Sequence, residues 1–249
     1  MSAFDFQVIV IQDTYDIFDK SAEVQDVLSA VWAMKLKGYK NFFKYGVCPN
    51  DKYDFFSNHI IFTRKDDITK PLGGVKNITL GACQNLGIPF PPVMHMFGNE
   101  IKEKDYLHVY AINNWLSKFD PESIGYSMGY TMDPSLPKEF RRYLFDFVCY
   151  TFSPFYKENK IPNIIHGVNT LAKIDQKVEK IGFKDLMIDH LNMPLFKMEG
   201  LDDLDTRLMV SENYDIDVSA LCGIEDFERI WSNRIVLSSE TLGLKKLAA

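Results

Sequence analysis

Two aspartates, Asp51 and Asp54, stand in an aromatic stretch, Tyr39-Lys-Asn-Phe-Phe-Lys-Tyr-Gly-Val-Cys-Pro-Asn-Asp-Lys-Tyr-Asp-Phe-Phe56. Carboxylates in such surroundings can grip a cationic amine or pair with an arginine. Pro49-Asn-Asp51 is equally ordinary turn chemistry, so a solvated turn is the competing reading. Lys76, in the run Gly73-Gly-Val-Lys-Asn-Ile-Thr-Leu80, points either into a site or out from the exposed face of an antiparallel sheet. His95 lies in Gly87-Ile-Pro-Phe-Pro-Pro-Val-Met-His-Met-Phe97 with no acidic or cysteine neighbour, which predicts a core histidine. That proline-rich, apolar segment, Phe97 included, folds back over a core or lines a ligand site.

These residues need elements to hold them. Phe6 to Ile11 is predicted as a first strand. Ile17 to Lys35 is predicted as an amphipathic helix with Val24, Val27, Leu28, Val31 and Trp32 on one face. Asn58 to Arg64 and Gly73 to Leu80 pair as antiparallel strands across a polar link. Gly81 to Asp105 shows no regular pattern, and Tyr106 to Trp115 fits strand or helix. The centre of the chain is Ile124 to Phe183. Ile124-Gly-Tyr-Ser-Met-Gly-Tyr-Thr-Met132 is a strand and Lys138 to Ser153 a helix that Pro154 ends or kinks. Ile161 to Val168 is the next strand, and Asn169 to Ile181 a helix stopped by Gly182. A strand–helix–strand unit of this kind makes a right-handed crossover between parallel strands. Phe183 to Asp189 and Asn192 to Met198 are expected as a strand pair. Glu199, Asp202, Asp203 and Asp205 open a solvated connection, and Asp217 to Ile235 is expected to be a helix.

With 249 residues, 46% apolar content and 25% charged content, the chain suits one large domain or two small ones. A net charge of −6 and the lack of a basic block argue against nucleic acid as the main partner. The 19 Phe and 12 Tyr supply an aromatic core or an apolar ligand pocket. Cys48, Cys83, Cys149 and Cys222 are scattered, which fits a reducing compartment and neither a disulfide framework nor a zinc site. Met1-Ser-Ala-Phe-Asp-Phe lacks the form of a signal peptide, and no apolar run spans a membrane, so the expected location is the cytoplasm.

This element order resembles the GNAT acyltransferase fold, an α/β (α+β) architecture with a mixed, mostly antiparallel central sheet flanked by helices and a central β-α-β unit. The branch it looks most like contains the acyl-homoserine-lactone synthases and N-acyl amino acid synthases. Leu36-Lys-Gly-Tyr39 resembles that branch's leucine-glycine-aromatic step, and Asp51-x-x-Asp54 its paired acids before the second strand. Gly74-Val-Lys76 resembles its glycine followed by arginine, with lysine in place of arginine. Phe90 to Phe97 resembles its apolar loop, and Asp175 to Phe183 its Gly-Phe step. The resemblance covers residues 6 to 198. Residues 1–198 would form the acyltransferase domain, with 199–249, an acidic segment and a helix, on the same domain.

The resemblance implies N-acyl transfer from an acyl thioester, acyl-CoA or acyl-phosphopantetheine on a carrier protein, to a small amine or amino acid, with no tightly bound cofactor and no metal. Met128, Gly129 and Tyr130 would hold the thioester carbonyl. Asp51 and Asp54 would hold the acceptor, with Lys76 and Phe97 beside it. The branch's glutamate-x-x-arginine is missing. In one register Trp115-Leu-Ser-Lys118 takes its place, in the other Tyr126-Ser-Met-Gly129, and Glu122 is the nearest acid to either. Glu122, Asp54 and Tyr126 are therefore the candidate catalytic residues. The loop before the 138–153 helix lacks the glycines that cradle a pyrophosphate, and Lys138, Arg141 and Arg142 would meet the donor phosphate instead. The alternative is a GNAT-like protein that has lost catalysis and binds an acyl or lipid-like ligand or a protein partner. Oligomeric state is left open.

Overall fold

The computed structural model describes residues 5–40, 52–98, 100–198 and 204–244, excepting the side chains of His95 and Ala172. Asp51 and Cys48 lie outside the described residues. In chain order the elements are β1 (Phe6–Ile11), α1 (Thr14–Ile17), α2 (Ala22–Tyr39), α3 (Tyr53–Phe56), β2 (Asn58–Arg64) and β3 (Asp67–Thr79). Then come α4 (Leu80–Asn85), α5 (Pro91–Phe97), α6 (Tyr106–Leu116), β4 (Ile124–Met132), α7 (Lys138–Glu158), β5 (Asn163–Asn169) and α8 (Ile174–Lys180). The chain closes with β6 (Lys184–Asp185), β7 (Met187–Ile188), β8 (Leu191–Asn192), β9 (Phe196–Lys197), β10 (Asp205–Ser211), α9 (Ile224–Ser232) and β11 (Ile235–Leu237). The architecture is mixed α/β: a mostly antiparallel sheet flanked by helices, with β4-α7-β5 as the central β-α-β unit and β4 parallel to β5.

The chain divides into two compact units. The first comprises Met1–Asn77, Gly129–Thr151 and Leu221–Ala249; the second comprises Ile78–Met128 and Phe152–Ala220. In the first, β1 pairs antiparallel with β2 and parallel with β11, and β2 pairs antiparallel with β3. β1 is buried on both faces, which is why it is a continuous apolar run and not an alternating one. Ile9 and Ile11 meet Val24, Val27, Leu28, Val31 and Met34 of α2. On the other face Phe6 packs edge-on against Phe62 and Phe147, and Phe147 against Phe227 of α9. The helix α2 begins where Ser21 accepts a hydrogen bond from the Val24 N–H, a standard N-cap.

In the second unit β5 lies beside β10 antiparallel, and β10 carries β6 and β9. Arg207 of β10 binds Asp175 and Glu179 of α8 and Asp185 of β6, at 3.0, 3.1 and 2.8 Å. The α6 helix buries Ala111, Ile112 and Trp115, and the Trp115 indole N–H donates to Glu212 at 2.7 Å. Gly182 has φ +103, and a Cβ there would lie 2.3 Å from the Asp215 carbonyl oxygen, so the close return of the chain demands glycine.

Several expectations need correction. The helix from Lys138 runs through Pro154 to Glu158, because Phe152, Phe155 and Tyr156 are all buried and that burial outweighs the lost backbone hydrogen bond. Asp205 is no part of a solvated connection. It opens β10, whose Leu208, Met209 and Val210 are buried between β5 and β6; the acidic residues ahead of it masked a short apolar run. The expected Asp217–Ile235 helix is reduced to Ile224–Ser232, preceded by a left-handed Gly223 and followed by β11. The irregular stretch 81–105 contains α4 and α5, and the ambiguous stretch after it is the helix α6.

Candidate functional site

Unit one holds a buried ionic cluster built from three elements. Lys35 continues the core stripe of α2, falling one turn after Val31. Asp54 comes from the helical turn α3, and Lys76 from β3. Both ammonium groups donate to the same atom, Asp54 Oδ1, each at 2.9 Å. All three side chains are buried, with exposures of 6%, 2% and 4%. The other carboxylate oxygen, Asp54 Oδ2, is buried with no hydrogen-bond partner among the described residues. Burial alone would raise the Asp54 pKa, but Lys76 and Lys35 outweigh it and hold the carboxyl below its ordinary value. Asp54 is therefore an ionised acceptor and a poor base.

His59 of β2 completes the cluster. Its Nε2 lies 2.7 Å from the Asp54 carbonyl oxygen, which can only accept, so Nε2 carries the proton. Burial pushes the ring pKa down to about 4, and at neutral pH the imidazole is uncharged. A cavity of about 10 Å³ lies among Lys35, Asp54, His59, Lys76, Gly129 and Thr131. It has room for about one water, next to the free carboxylate oxygen.

Gly129 sits in the middle of β4 with φ +65, and a Cβ there would stand 3.2 Å from Lys76 Cε. A left-handed glycine inside a strand goes with a bulge or a close approach of another group, and here the lysine stem passes close to the backbone. Next to it, the Tyr39 hydroxyl donates to the Tyr130 carbonyl, and Gly38 of α2 leaves room for Thr131. The Tyr130 phenol is buried against Phe145 with no hydrogen-bond partner among the described residues, and burial pushes its pKa up. Lys138, Arg141 and Arg142 are exposed on the first turns of α7.

The other sequence candidates lie in unit two. Glu122 is exposed. Its carboxylate lies over Gly81, within 2.5 Å of where a Cβ would be, and accepts from the Asn85 amide at 3.4 Å. Tyr126 is buried and meets Phe90 edge-on, and Met128 is buried on the same strand. Phe97 is buried against Phe196 and His108, with centroids 4.9 and 5.6 Å apart. His166 of β5, which the sequence pattern did not single out, lies between Phe152 and Phe183 with Nε2 unpartnered among the described residues, and burial pushes its pKa down to about 3.

No family model matches the chain, and no curated protein matches it in sequence. Solved structures do match. MesI, a CoA-dependent acyl-homoserine lactone synthase, superposes with a TM-score of 0.51 at 12% identity, over 94% of this chain and 100% of its own. BjaI, another CoA-dependent acyl-homoserine lactone synthase, solved with MTA, gives 0.51 at 10% identity over 98% and 95%. FeeM, an N-acyl amino acid synthase from uncultured soil microbes, gives 0.49 at 10% over 89% and 97%. The chain has a GNAT-like acyltransferase fold. At such low identity the likeness fixes the fold and leaves the chemistry to the residues. On this GNAT-like frame Asp54 and Lys76 lie together with Gly129 close by, and Lys35 and His59 stand with them. Both additions had a signal: a lysine at a core position of an amphipathic helix, and a histidine at the head of an apolar strand.

Proposed function

We propose that this chain moves an acyl group from an acyl thioester, on coenzyme A or on the phosphopantetheine of a carrier protein, to the amine of an amino acid or another small molecule. The observation that carries the reading is the left-handed Gly129 in β4, seated beside the Asp54–Lys76 pair. A bulge turns a backbone N–H out of the ladder, and an N–H so freed can hold a thioester carbonyl and then the oxyanion formed from it. The amine nitrogen forms a bond to the carbonyl carbon and the carbon–sulfur bond breaks. The proton lost by the amine passes through water and ends on the departing thiolate, giving an amide and a free thiol. Asp54, held ionised by two ammonium groups, suits charge placement near the acceptor better than proton removal. Exposed Glu122 is the candidate for orienting that water, with buried Tyr126 and Met128 shaping the strand. Asp51, Lys76 and Phe97 remain assigned to substrate binding, and Lys138, Arg141 and Arg142 to the donor phosphate. No described helix is long and apolar enough to cross a membrane. Cys83, Cys149 and Cys222 form no disulfide among the described residues, which suits a cytoplasmic location.

One observation favours a second reading, a protein that binds an acyl ligand or a partner without transfer. Among the described residues the cavity beside the Asp54 cluster is about 10 Å³, space for about one water. Thiol release separates the two readings. The protein is incubated with medium- and long-chain acyl-CoA and acyl-carrier protein, with and without amino acids and small amines. Acceptor-dependent thiol release supports transfer. Thermal stabilisation by the acyl donor with no release supports the second reading. Under the first, Glu122→Gln lowers turnover without lowering the melting temperature, and unchanged turnover removes Glu122 from the mechanism.

A further inference from the structure

The last turn of α2 meets the backbone of β4 directly. The Tyr39 hydroxyl donates to the Tyr130 carbonyl. A Cβ on Gly38 would stand 2.7 Å from Thr131 Oγ1 and 3.3 Å from the Met132 carbonyl oxygen, so helix and strand lie closer than a side chain at 38 fits without displacing Thr131. One turn back, Lys35 donates to Asp54 Oδ1 at 2.9 Å and anchors the same helix. All of these residues belong to unit one. The edge of β4 that Tyr39 grips is the one away from β3. β3 lies next to β4 in the sheet, the Asp133 N–H donates to the Leu72 carbonyl at 3.0 Å, and a Cβ on Gly73 would lie 3.1 Å from the Thr131 carbonyl oxygen. Residues 131 and 133 therefore turn their backbone groups towards β3. Successive residues of a strand face opposite edges, so the Tyr130 carbonyl faces away from β3. On that side the described register of β4 with β5 ends at Tyr126. At Tyr130 a side-chain hydroxyl stands where a neighbouring strand would supply an N–H.

We propose that Tyr39 is a positioning residue for acyl transfer, its hydroxyl fixing the β4 backbone at Gly129 and Tyr130 against which the thioester carbonyl would lie. The inference rests on the transfer reading and adds to it a residue that touches neither substrate. Its physical basis is the peptide plane. The Tyr130 carbonyl and the Thr131 N–H share one rigid plane, so holding the oxygen sets the direction of both. The residue before Tyr130 is the one that most needs holding. Gly129, at φ +65, has the widest choice of backbone conformations in the strand, and without a clamp beside it several would compete. A tyrosine suits the task, since its ring is rigid and carries the hydroxyl at a fixed reach from the helix. Phenylalanine would keep the ring and its packing and lose only the clamp.

The test compares the full chain with Tyr39→Phe in acceptor-dependent thiol release, over a range of acyl-CoA and amine concentrations, well below the melting temperature. The expected result is a fall in kcat of about tenfold or more with KM for donor and acceptor unchanged, because the groups that bind are intact and the donor to the oxyanion is out of place. The melting temperature should fall by about 4 °C or less, since Tyr39 is half-buried and water can replace its hydroxyl. Tyr15→Phe, at an exposed tyrosine of the same unit, should match the parent in every respect. A kcat equal to that of the parent overturns the proposal and leaves the transfer reading standing, and a lower melting temperature with that unchanged kcat would give the hydroxyl a structural role alone. A change confined to KM also overturns it, by making Tyr39 a substrate contact. A parent that releases no thiol with any donor and acceptor overturns the transfer reading and this proposal together.

Discussion

Replacing Asp54 by asparagine should be among the most damaging single changes in unit one, and replacing Lys35 by methionine should be mild. The geometry sets that asymmetry. Asp54 Oδ1 receives both ammonium groups at 2.9 Å, inside a cluster that is nearly dry. Asp54→Asn leaves two buried cations facing a neutral amide. Breaking a buried ion pair from one side costs about 3–5 kcal/mol, because the surviving charge has lost its solvation and its partner. For a chain of this size that corresponds to a fall of roughly 6–20 °C in melting temperature. Lys35→Met leaves a one-to-one pair between Asp54 and Lys76, and the methionine follows the path of the lysine stem. Its cost should be about 1 kcal/mol or less. Lys35→Met should also relieve part of the damage of Asp54→Asn, since it removes one of the two cations that Asp54 holds; the coupling should be about 1–3 kcal/mol. Urea denaturation followed by tryptophan fluorescence and circular dichroism measures all three variants, and a constant denaturant slope confirms a change in stability alone. The acid limb supplies a sign check. A carboxyl whose folded pKa is depressed contributes stability that is fully present above its unfolded value near 3.8 and is lost as the pH falls through the lower folded value. The advantage of the parent over Asp54→Asn should therefore persist at pH 5. If Lys35→Met is as costly as Asp54→Asn, or if Asp54→Asn stays within about 1 kcal/mol of the parent, the reasoning about a shared buried carboxylate fails.

Two buried histidines predict a second acid effect. Burial lowers His59 to about 4 and His166 to about 3, from 6.5 in the unfolded chain. Between pH 6.5 and 4 the unfolded chain binds more protons, so stability falls as the pH drops, by about 2 kcal/mol per histidine at pH 5. His166→Phe should remove its share of that slope, and denaturation profiles at pH 7 and pH 5 that run parallel to the parent would refute the assignment. Gly129→Ala should cost about 1–2 kcal/mol for the left-handed backbone, with added pressure on the Lys76 stem; thermal melting measures it, and under the transfer reading acceptor-dependent thiol release falls with it. Replacing Lys35, Asp54 and Lys76 together by Met, Leu and Met should leave stability within about 2 kcal/mol of the parent, since apolar replacement of a whole buried ionic group is often neutral. Loss of thiol release in that folded triple variant would tie the cluster to chemistry, and full activity would assign it to structure alone.

Much of the fold was legible because its signals are local. The apolar run of β1, the stripe of α2, the polar link between β2 and β3, and the strand–helix–strand order from β4 to β5 each depend on a few neighbouring residues. The failures share a cause: tertiary burial overrode a local rule. Pro154 forbids one backbone hydrogen bond, yet the helix continues because the aromatic residues around it have a core to enter. β10 follows an acidic run, and its place depends on β5 and β6, which no window of sequence shows. The site was half legible for a similar reason. Asp54 and Lys76 were candidates by residue type, and Gly129 was named only through the resemblance. Lys35 was hidden as the charged end of a helix, although its place one turn beyond Val31 already put it on the buried stripe.

The cluster also ties the strand that carries Gly129 to the rest of unit one. Among the described residues the cluster holds two cations and one anion, and buried ion pairs are a poor source of stability, since apolar side chains would fill the same space at lower desolvation cost. What it supplies is position. Lys35 fixes α2, Asp54 fixes the α3 turn, and the Lys76 stem runs close beneath Gly129. Tyr39, four residues beyond Lys35 on the same helix, holds the carbonyl of Tyr130. One helix thereby grips both the carboxylate and the residue after Gly129, and a shift of α2 would move both. Under the transfer reading this matters because an oxyanion is stabilised only by donors already in place, and the backbone at Gly129 is where the proposed donor would lie. The cavity beside the cluster is small, about 10 Å³. A cluster that serves by holding the strand has no need to admit a substrate, and one ordered water on the free oxygen of Asp54 would be enough to close it.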